Sequence, residues 1–489
     1  MNKILLPFLV GTIAGCTVGP DYVRPQTPTP AQWSEGISSP GIPKDNKAWW
    51  KTFGDPVLTG LIAEAAITNL DLKQAVQRIR IARTQRTQAV AAGLPTLSAH
   101  SSVSRRLNSF SSPAGSTATF GSTSGTGAGG AFGIGDSLIN IFQSGFDAQW
   151  ELDLFGGIRR TVEAAEANTE AEVENRRALT VSLLGEVASQ YITLRANQQL
   201  LAVVRDNLVT QRDTLHLTRE RQKAGLSSYL DVAQAQAQVE ATAAEQPLYE
   251  NQVKLALHAL SVLLDRPPGE LTPRLQRSAP IPLPANLIAA ELPSELLRRR
   301  PDILSAERRL KAANADIGAA VAAQYPRINL AAFIGLQNTD ISDFTMLGKS
   351  WSMASTLAFP IFNWGSIQAN IESKKARHQE LVHAYRATVL NAFKEVEDAL
   401  ASLEQERRRL AQLQEAEAAV KLALDLAQER YLKGLTGFLD VLTAERSLLV
   451  RRQALIESQA RIAGQRVALY KALGGGWEVA EPENRRQDG

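Results

Sequence analysis

Short stretches of this chain alternate between apolar and polar residues, and two long stretches repeat an apolar residue every seven positions. In residues 146–154, Phe146, Ala148, Trp150, Leu152 and Leu154 alternate with Asp147, Gln149, Glu151 and Asp153. In residues 351–361, Trp351, Met353, Ser355, Leu357, Phe359 and Ile361 alternate with Ser352, Ala354, Thr356, Ala358 and Pro360. The segments after Pro95 and Pro326 are weaker versions, the second with Ile328, Leu330, Ala332, Ile334 and Leu336 on one face. A period of two predicts strands with one apolar face, at about 96–108, 138–155, 327–338 and 350–362. Each is about ten residues long, enough for a tilted strand to cross a bilayer. Trp150 and Trp351 would then suit the headgroup boundary. Soluble sandwich strands alternate too, so the period alone does not decide.

The long stretches read as helices. Ile158 to Ala224 contains no Pro and one Gly (Gly185), and Ser366 to Lys433 contains neither. At 1.5 Å per residue each would be about 100 Å long. Val187, Leu194, Leu201, Leu208 and Leu215 form a seven-residue seam. In the second stretch the seam is Val396, Leu403, Leu410, Glu417 and Leu424, with one break at Glu417. A 3.5-residue period favours left-handed supercoiling against neighbours. An ordinary long coiled coil would show the same seam; the strands argue for something more.

The chain also repeats itself. ERQKAGLSSYLDV at 220–232 and ERYLKGLTGFLDV at 429–441 are identical at seven of thirteen positions, at an offset of 209. An earlier pair, opening at Asp71-Leu72 and Asp302-Ile303 and ending QAVAAGLPTL and AAVAAQYPRI, is offset by 231. Extra length between Pro95 and Phe155 accounts for the difference. The Ser-, Gly- and Thr-rich run from roughly Ser101 to Gly135 reads as an exposed loop there. The pattern predicts a tandem duplication, each half running helix, strand, loop, strand, long helix, helix. The expected boundaries are 49–289, with long helices over about 157–265, and 290–475, with long helices over about 366–473. A polar tail follows at 476–489.

Composition narrows the function. The 489 residues carry 53 basic and 50 acidic side chains, a net charge of +3, which makes no case for nucleic acid. No apolar run reaches about 18 residues, so no transmembrane helix is expected. Strands that span lipid must close into a barrel. Four cannot; copies sharing one barrel give eight with two and twelve with three. Eight strands leave an interior filled by side chains, so an open conduit needs at least three copies. Enzyme chemistry is not indicated. The five histidines make no i,i+4 pair, and no HExxH, GxSxG or phosphate-binding loop appears. No metal or cofactor is expected.

The N-terminus, MNKILLPFLVGTIAGC, has the outline of an export signal over residues 1–15. Its end, Ile13-Ala14-Gly15-Cys16, resembles a bacterial lipobox, in which the cysteine is lipidated; a free thiol is the plainer alternative. Cys16 is the single cysteine, so it has no internal disulfide partner. The proline-rich segment from 16 to 48 reads as extended along the outside of the barrel.

CTVGPDYVRP, WWKTFGDPVLTGLIAEAAITNLDL at 49–72, LPSELLRRRPDILSAERRL at 292–310 and the two repeated motifs carry a family resemblance. The chain resembles outer-membrane efflux lipoproteins of the TolC-like, NodT-type family. That resemblance implies a mainly α homotrimer, with a twelve-stranded membrane β-barrel and a periplasmic α-helical barrel. It implies an outer-membrane channel that passively conducts drugs or other toxic small molecules. Its partners would be a periplasmic membrane-fusion adaptor and an inner-membrane pump of the resistance-nodulation-division type. Thr17 rather than Asp after the cysteine favours sorting to the outer membrane. A type I protein-secretion duct and a non-conducting adhesive lipoprotein are the alternatives.

Candidate site residues follow. Gly225-Leu226 and Gly434-Leu435 would reverse the helices, and Ser227 or Thr436, with Asp231 or Asp440, would satisfy amides of the returning helices. Arg221, Gly225, Leu226, Asp231, Arg430, Gly434 and Leu435 would meet the adaptor. Tyr431 and Arg446 match gate positions of the family. Thr443 stands where many relatives carry an acid, which leaves Asp440 or Glu445 as substitutes opposite Arg446. Asp147, Glu151 and Asp153 would make the barrel lumen polar.

Overall fold

A computed structural model describes residues 17–34, 46–108, 137–284, 293–341 and 348–480. Cys16, the loop from 109 to 136 and the tail from 481 lie outside them. Helices α1 (Pro56–Thr68) and α2 (Leu70–Ala91) lead into strands β1 (Thr96–Asn108) and β2 (Ser137–Leu152). Helices α3 (Gly157–Lys223) and α4 (Tyr229–Leu263) complete the first half. After the short helices α5 (Thr272–Leu275) and α6 (Pro293–Arg299), the second half runs α7 (Pro301–Ala322), β3 (Arg327–Asn338), β4 (Lys349–Ala358), α8 (Ser366–Leu432) and α9 (Phe438–Ala472). A 3-10 turn at Trp477–Ala480 takes up part of the expected tail.

The duplication is visible in the elements themselves. Helices α3 and α8 both have 67 residues, α4 and α9 both 35, and α2 and α7 both 22. The strand pairings repeat as well. Thr96 faces Gln149 across β1 and β2, and their counterparts 231 and 209 residues on, Arg327 and Ala358, face each other across β3 and β4. The compact units cut across the halves. One is built on the described residues of 1–25, 80–170 and 307–383, the other on 26–79, 171–306 and 384–489. Each therefore draws on both copies.

The first unit holds one antiparallel sheet in the order β1-β2-β3-β4, with the outer edges of β1 and β4 unpaired among the described residues. Strand β1 runs to Asn108, the end expected from the alternation, so the Ser-rich composition from Ser101 onward does not mark the start of a loop there. Gly145 and Gly335 face each other at the middle of the sheet. A Cβ on Gly145 would stand 2.5 Å from the Ile334 carbonyl and 2.7 Å from the Phe333 ring, which covers both glycines. The start of the N-terminal segment, residues 18–21, is held at the end of β2 and against α3 and α7. Val18 N–H donates to the Phe155 carbonyl at 3.2 Å, and Asn314 on α7 donates to the Pro20 carbonyl at 2.9 Å. Buried Arg160 on α3 holds Val18 and Gly19 by their carbonyls and Asp21 by its carboxylate at 2.8 Å. An extended segment leaves its carbonyls without partners, and the Arg160 guanidinium, with several donors on one planar group, donates to two of them and to the Asp21 carboxylate.

The second unit carries the main core, in which Trp49 stacks on Tyr470 at 5.1 Å between ring centres. Asp55 caps α1 by accepting the Val57 and Leu58 amides, and it also accepts the Tyr191 hydroxyl at 2.6 Å. Burial, then the bond to Asp55, pushes the Tyr191 phenol up to about 12. Most of the predicted seam is buried: Val187, Leu194, Leu208 and Leu215 on α3, and Val396, Leu403 and Leu424 on α8, are all below 8% exposed, whereas Leu201 and Leu410 are half-buried. Glu417, the break in that seam, accepts Arg452 at 3.3 Å.

The LRRRPDI string has a structural explanation. Arg300, its side chain 8% exposed, binds Asp302 at 2.7 Å, Glu395 at 2.7 Å and the Ala472 carbonyl at 2.8 Å. Burial opposes its charge, but the two carboxylates hold its pKa above the ordinary value. One residue thus ties α7 to α8 and to the end of α9. Arg300→Ala should destabilise the helical unit by about 2–3 kcal/mol. That is less than the loss of a fully buried partner, because Glu395 is half exposed. Arg300→Lys should recover only part of it, since an ammonium cannot grip Asp302 with two nitrogens. Chemical unfolding in detergent, followed by helical circular dichroism, reads both; an unchanged midpoint for the Ala variant would refute the tie.

Candidate functional site

The two helix reversals have the same backbone. At the end of α3, Gly225 has φ +73, its N–H reaches the Gln222 carbonyl at 3.0 Å, and Leu226 N–H reaches the Arg221 carbonyl at 2.8 Å. At the end of α8, Gly434 has φ +70 and its N–H reaches the Tyr431 carbonyl at 3.0 Å, while Leu435 N–H reaches the Arg430 carbonyl at 2.9 Å. This paired arrangement needs a left-handed residue after the helix, which is why glycine stands there twice.

The returning helices start differently. Ser228, not Ser227, caps α4: it accepts the Asp231 amide at 3.2 Å, and Asp231 accepts the Ser228 amide at 3.0 Å. Helix α9 starts at Gly437 with no side-chain cap, and the Thr436 hydroxyl donates to Asp440 instead. Ser227 and Ser228 are adjacent in the sequence; Ser228 has the extended backbone of a cap, with φ −84 and ψ 158.

Twin positions also take opposite roles. Phe438 is buried against Tyr431 at 5.7 Å between ring centres, whereas its counterpart Tyr229 is 76% exposed. The counterpart of Tyr431 is Gln222, so the first tip lacks an aromatic partner. Leu226, Leu230, Leu435 and Leu439 are each more than half exposed. Of these, Tyr229, Leu230 and Leu439 were not among the sequence candidates, although they lie inside the repeated motif. Arg221 sits with its guanidinium 4.8 Å from the centre of the Tyr431 ring and donates to the Leu432 carbonyl at 3.3 Å, linking the first tip to the second. Arg430, its twin, is exposed.

The four gate candidates are not joined to one another. Tyr431 is buried beneath Arg221, and Asp440 accepts from Thr436. The exposed Thr443 donates to the Leu439 carbonyl at 2.8 Å. Arg446 Nε donates to Gln238 on α4, so neither Asp440 nor Glu445 is its partner. Glu445 points the other way: it is 3% exposed and accepts the Thr214 hydroxyl at 3.0 Å. Adjacent residues on a helix are about 100° apart, which separates Glu445 from Arg446.

On the sheet, one face bears Asp147, hydrogen-bonded to His100, with Glu151 further along the same strand. Asp153 is not on that face. It lies beyond the end of β2, accepts the Ile158 amide at 3.1 Å and the Arg159 amide at 2.8 Å, and so caps α3. The other face is apolar and uncovered: Leu97, Val103, Phe146, Ile334, Trp351 and Met353 are each more than half exposed. Among the described residues there is no cluster of metal-ligating side chains, and no helix is long and apolar enough to cross a membrane.

The model of the outer membrane efflux protein family matches residues 61–266 and 292–475, one segment in each half. The chain is 34% identical to the solvent efflux pump outer membrane protein SrpC of Pseudomonas putida, over 98% of this chain and 99% of that one. It is 33% identical to the cation efflux system protein CusC of Escherichia coli, over 97% and 99%. Among solved structures, the outer-membrane channel OprN superposes with a TM-score of 0.86 at 33% identity, covering 95% of this chain and all of that one.

Burial raises the pKa of Glu445 above its ordinary 4.5, against the opposing bonds from Thr214 and Gln428. The folded chain therefore holds this proton more tightly than the unfolded chain, and the fold loses stability as pH rises from 4.5 through the folded pKa. Glu445→Gln should match the parent's tip stability near pH 4 and exceed it near pH 8. Hydrogen exchange of amides in α9 measures this; equal protection at both pH values would show a solvated carboxylate.

Proposed function

The chain belongs to the outer membrane efflux protein family, and from that premise we propose that it is the outer-membrane channel of a tripartite efflux system. Three copies would close a twelve-stranded barrel, with the helix tips on its periplasmic side. One observation carries the reading: a four-stranded sheet with both edges unpaired and one face apolar and exposed. Such a sheet is incomplete in water and forbidden in lipid until other strands close it. The polar face with His100, Asp147 and Glu151 becomes the lumen.

The tips are where an adaptor would dock. Their exposed Tyr229, Leu230 and leucines beside the glycine turns give a partner apolar anchors, and Arg221, Arg430, Asp231 and Asp440 give it charges. An inner-membrane pump of the resistance-nodulation-division type would supply the cargo. SrpC is named for solvents and CusC for cations, so cargo class varies among similar channels. The purified chain should run as a trimer in detergent and conduct in planar bilayers. A monomer without conductance would refute the reading.

The gate would be held by the bond from Arg446 on α9 to Gln238 on α4 rather than by an ion pair. Thr443 contributes no charge, and Asp440 is committed to Thr436. Arg446→Ala and Gln238→Ala should both raise the resting single-channel conductance. A part-buried bond of this kind contributes about 1 kcal/mol, or about a five-fold change in open population. An unchanged closed conductance in either variant would remove that residue from the latch.

Lipidation of Cys16 would bring each monomer to the outer membrane before the barrel closes. The neighbouring Thr17 packs against Gly156, at the junction of β2 with α3. Cys16→Ser should lower the amount of membrane-inserted trimer and leave the trimers that form able to conduct. A folded, assembled variant closed to ions would contradict this division of labour.

A further inference from the structure

The unpaired edges of β1 and β4 have a template inside the chain. The pairing of β2 with β3 joins the second strand of one half to the first strand of the other half. In a ring of copies, β4 and the β1 of the next copy stand in that same relation. The β1–β2 register is reproduced by β3–β4 at the offsets of 231 and 209, so those offsets hold for strand pairing as well as for sequence.

Carrying the β2–β3 register across by these offsets gives a definite result. Asp147 faces Phe333, and Gly145 faces Gly335. Moved by 209 and 231, those pairs become Thr356 with Ser102, and Ala354 with Ser104. The result passes a check it was not built to pass. In the same register Trp351 falls opposite Leu107 and Ser355 opposite Val103, so residues of the apolar face meet residues of the apolar face. A shift by one would have set every apolar residue against a polar one.

A second, independent feature agrees. At the foot of the β2–β3 seam, Phe155 stacks on Tyr325 at 4.7 Å between ring centres. Their counterparts are Trp364 and Leu94, which are 89% and 57% exposed. Trp364 stands in a tight turn: it has φ +53, Gly365 has φ +79, and Ser366 N–H reaches the Asn363 carbonyl at 3.1 Å. Its ring packs edge-on against Phe362 of its own chain at 4.8 Å between ring centres, yet it remains exposed at the position where the β2–β3 seam has its stacked aromatic.

We propose that β4 of one copy pairs antiparallel with β1 of a second copy of this chain in that register, Thr356 facing the partner subunit's Ser102 and Ala354 facing the partner subunit's Ser104, with Trp364 covering the partner subunit's Leu94. The proposal rests on the closed barrel of three copies and adds to it which residues meet. All four test positions lie on the polar face, where an oxidant in water reaches them.

The test uses those four positions in two pairings, so that the substituted sites are shared and only their combination changes. The full-length chains Thr356→Cys with Ser102→Cys, and Ala354→Cys with Ser104→Cys, should form disulfides between copies in isolated outer membranes and give covalent trimers on denaturing gels. The crossed chains, Thr356→Cys with Ser104→Cys and Ala354→Cys with Ser102→Cys, are displaced by two residues and should link about ten-fold less, because diagonal neighbours stand too far apart for the bond. Native gels and bilayer conductance establish in parallel that each variant assembles. Stronger linking in the crossed chains, or no linking in any chain that still assembles, overturns the register and leaves the trimer intact. A parent chain that neither trimerises nor conducts overturns the channel reading itself, and the register with it.

Discussion

A peptide group in hydrocarbon has no water to bond to, and this constraint governs the whole molecule. Each unpaired N–H or carbonyl costs several kcal/mol there, of the order of the chain's entire folding stability if an edge of ten residues is left open. The sheet of this protein has two such edges. A monomer therefore has a helical unit with its own core around Trp49, Tyr191 and Tyr470, and a strand unit whose two edges are unpaired among the described residues. In lipid the strand unit can be finished only by strands of other copies.

Duplication answers the edge problem economically. A chain built from two like halves has, inside itself, one seam of the kind it must make with its neighbours. The Gly145–Gly335 crossing under the Phe333 ring and the Phe155–Tyr325 stack show how that internal seam is filled: close backbones at one level and an aromatic closure at another. The halves then diverged where identity was not needed. Arg300 gathers Asp302, Glu395 and the end of α9 in one half, whereas Arg160 in the other half secures the N-terminal segment.

Much of this was legible in the sequence because it rests on period and repetition. Seven-residue seams, two-residue alternation and glycine before leucine at each reversal are local signals with one physical solution each. What escaped was decided by a side chain's choice between neighbours. Asp153 continues the alternation of β2 yet caps α3, since a helix with free amides offers a carboxylate better partners than an open strand face. Ser227 and Ser228 are alike and adjacent in sequence, and the second makes the capping bonds with Asp231. Arg446 has acids nearby in sequence and bonds an amide from another helix, because helical geometry turns Glu445 into the core and Asp440 toward Thr436. No periodicity encodes such choices.

The different fates of Tyr229 and Phe438 bear on how many molecules can bind the tips. A trimer of duplicated chains presents six helix hairpins around its axis, with identical backbone turns at Gly225 and Gly434. A ligand that read only those turns would find six equivalent sites. One that inserted against an outward-facing ring would find three, because Phe438 is folded under Tyr431 while Tyr229 stands free. Gln222 in one tip and Tyr431 in the other thus give the two turns of each chain unlike surfaces behind the same backbone, so three copies would offer three places of each kind.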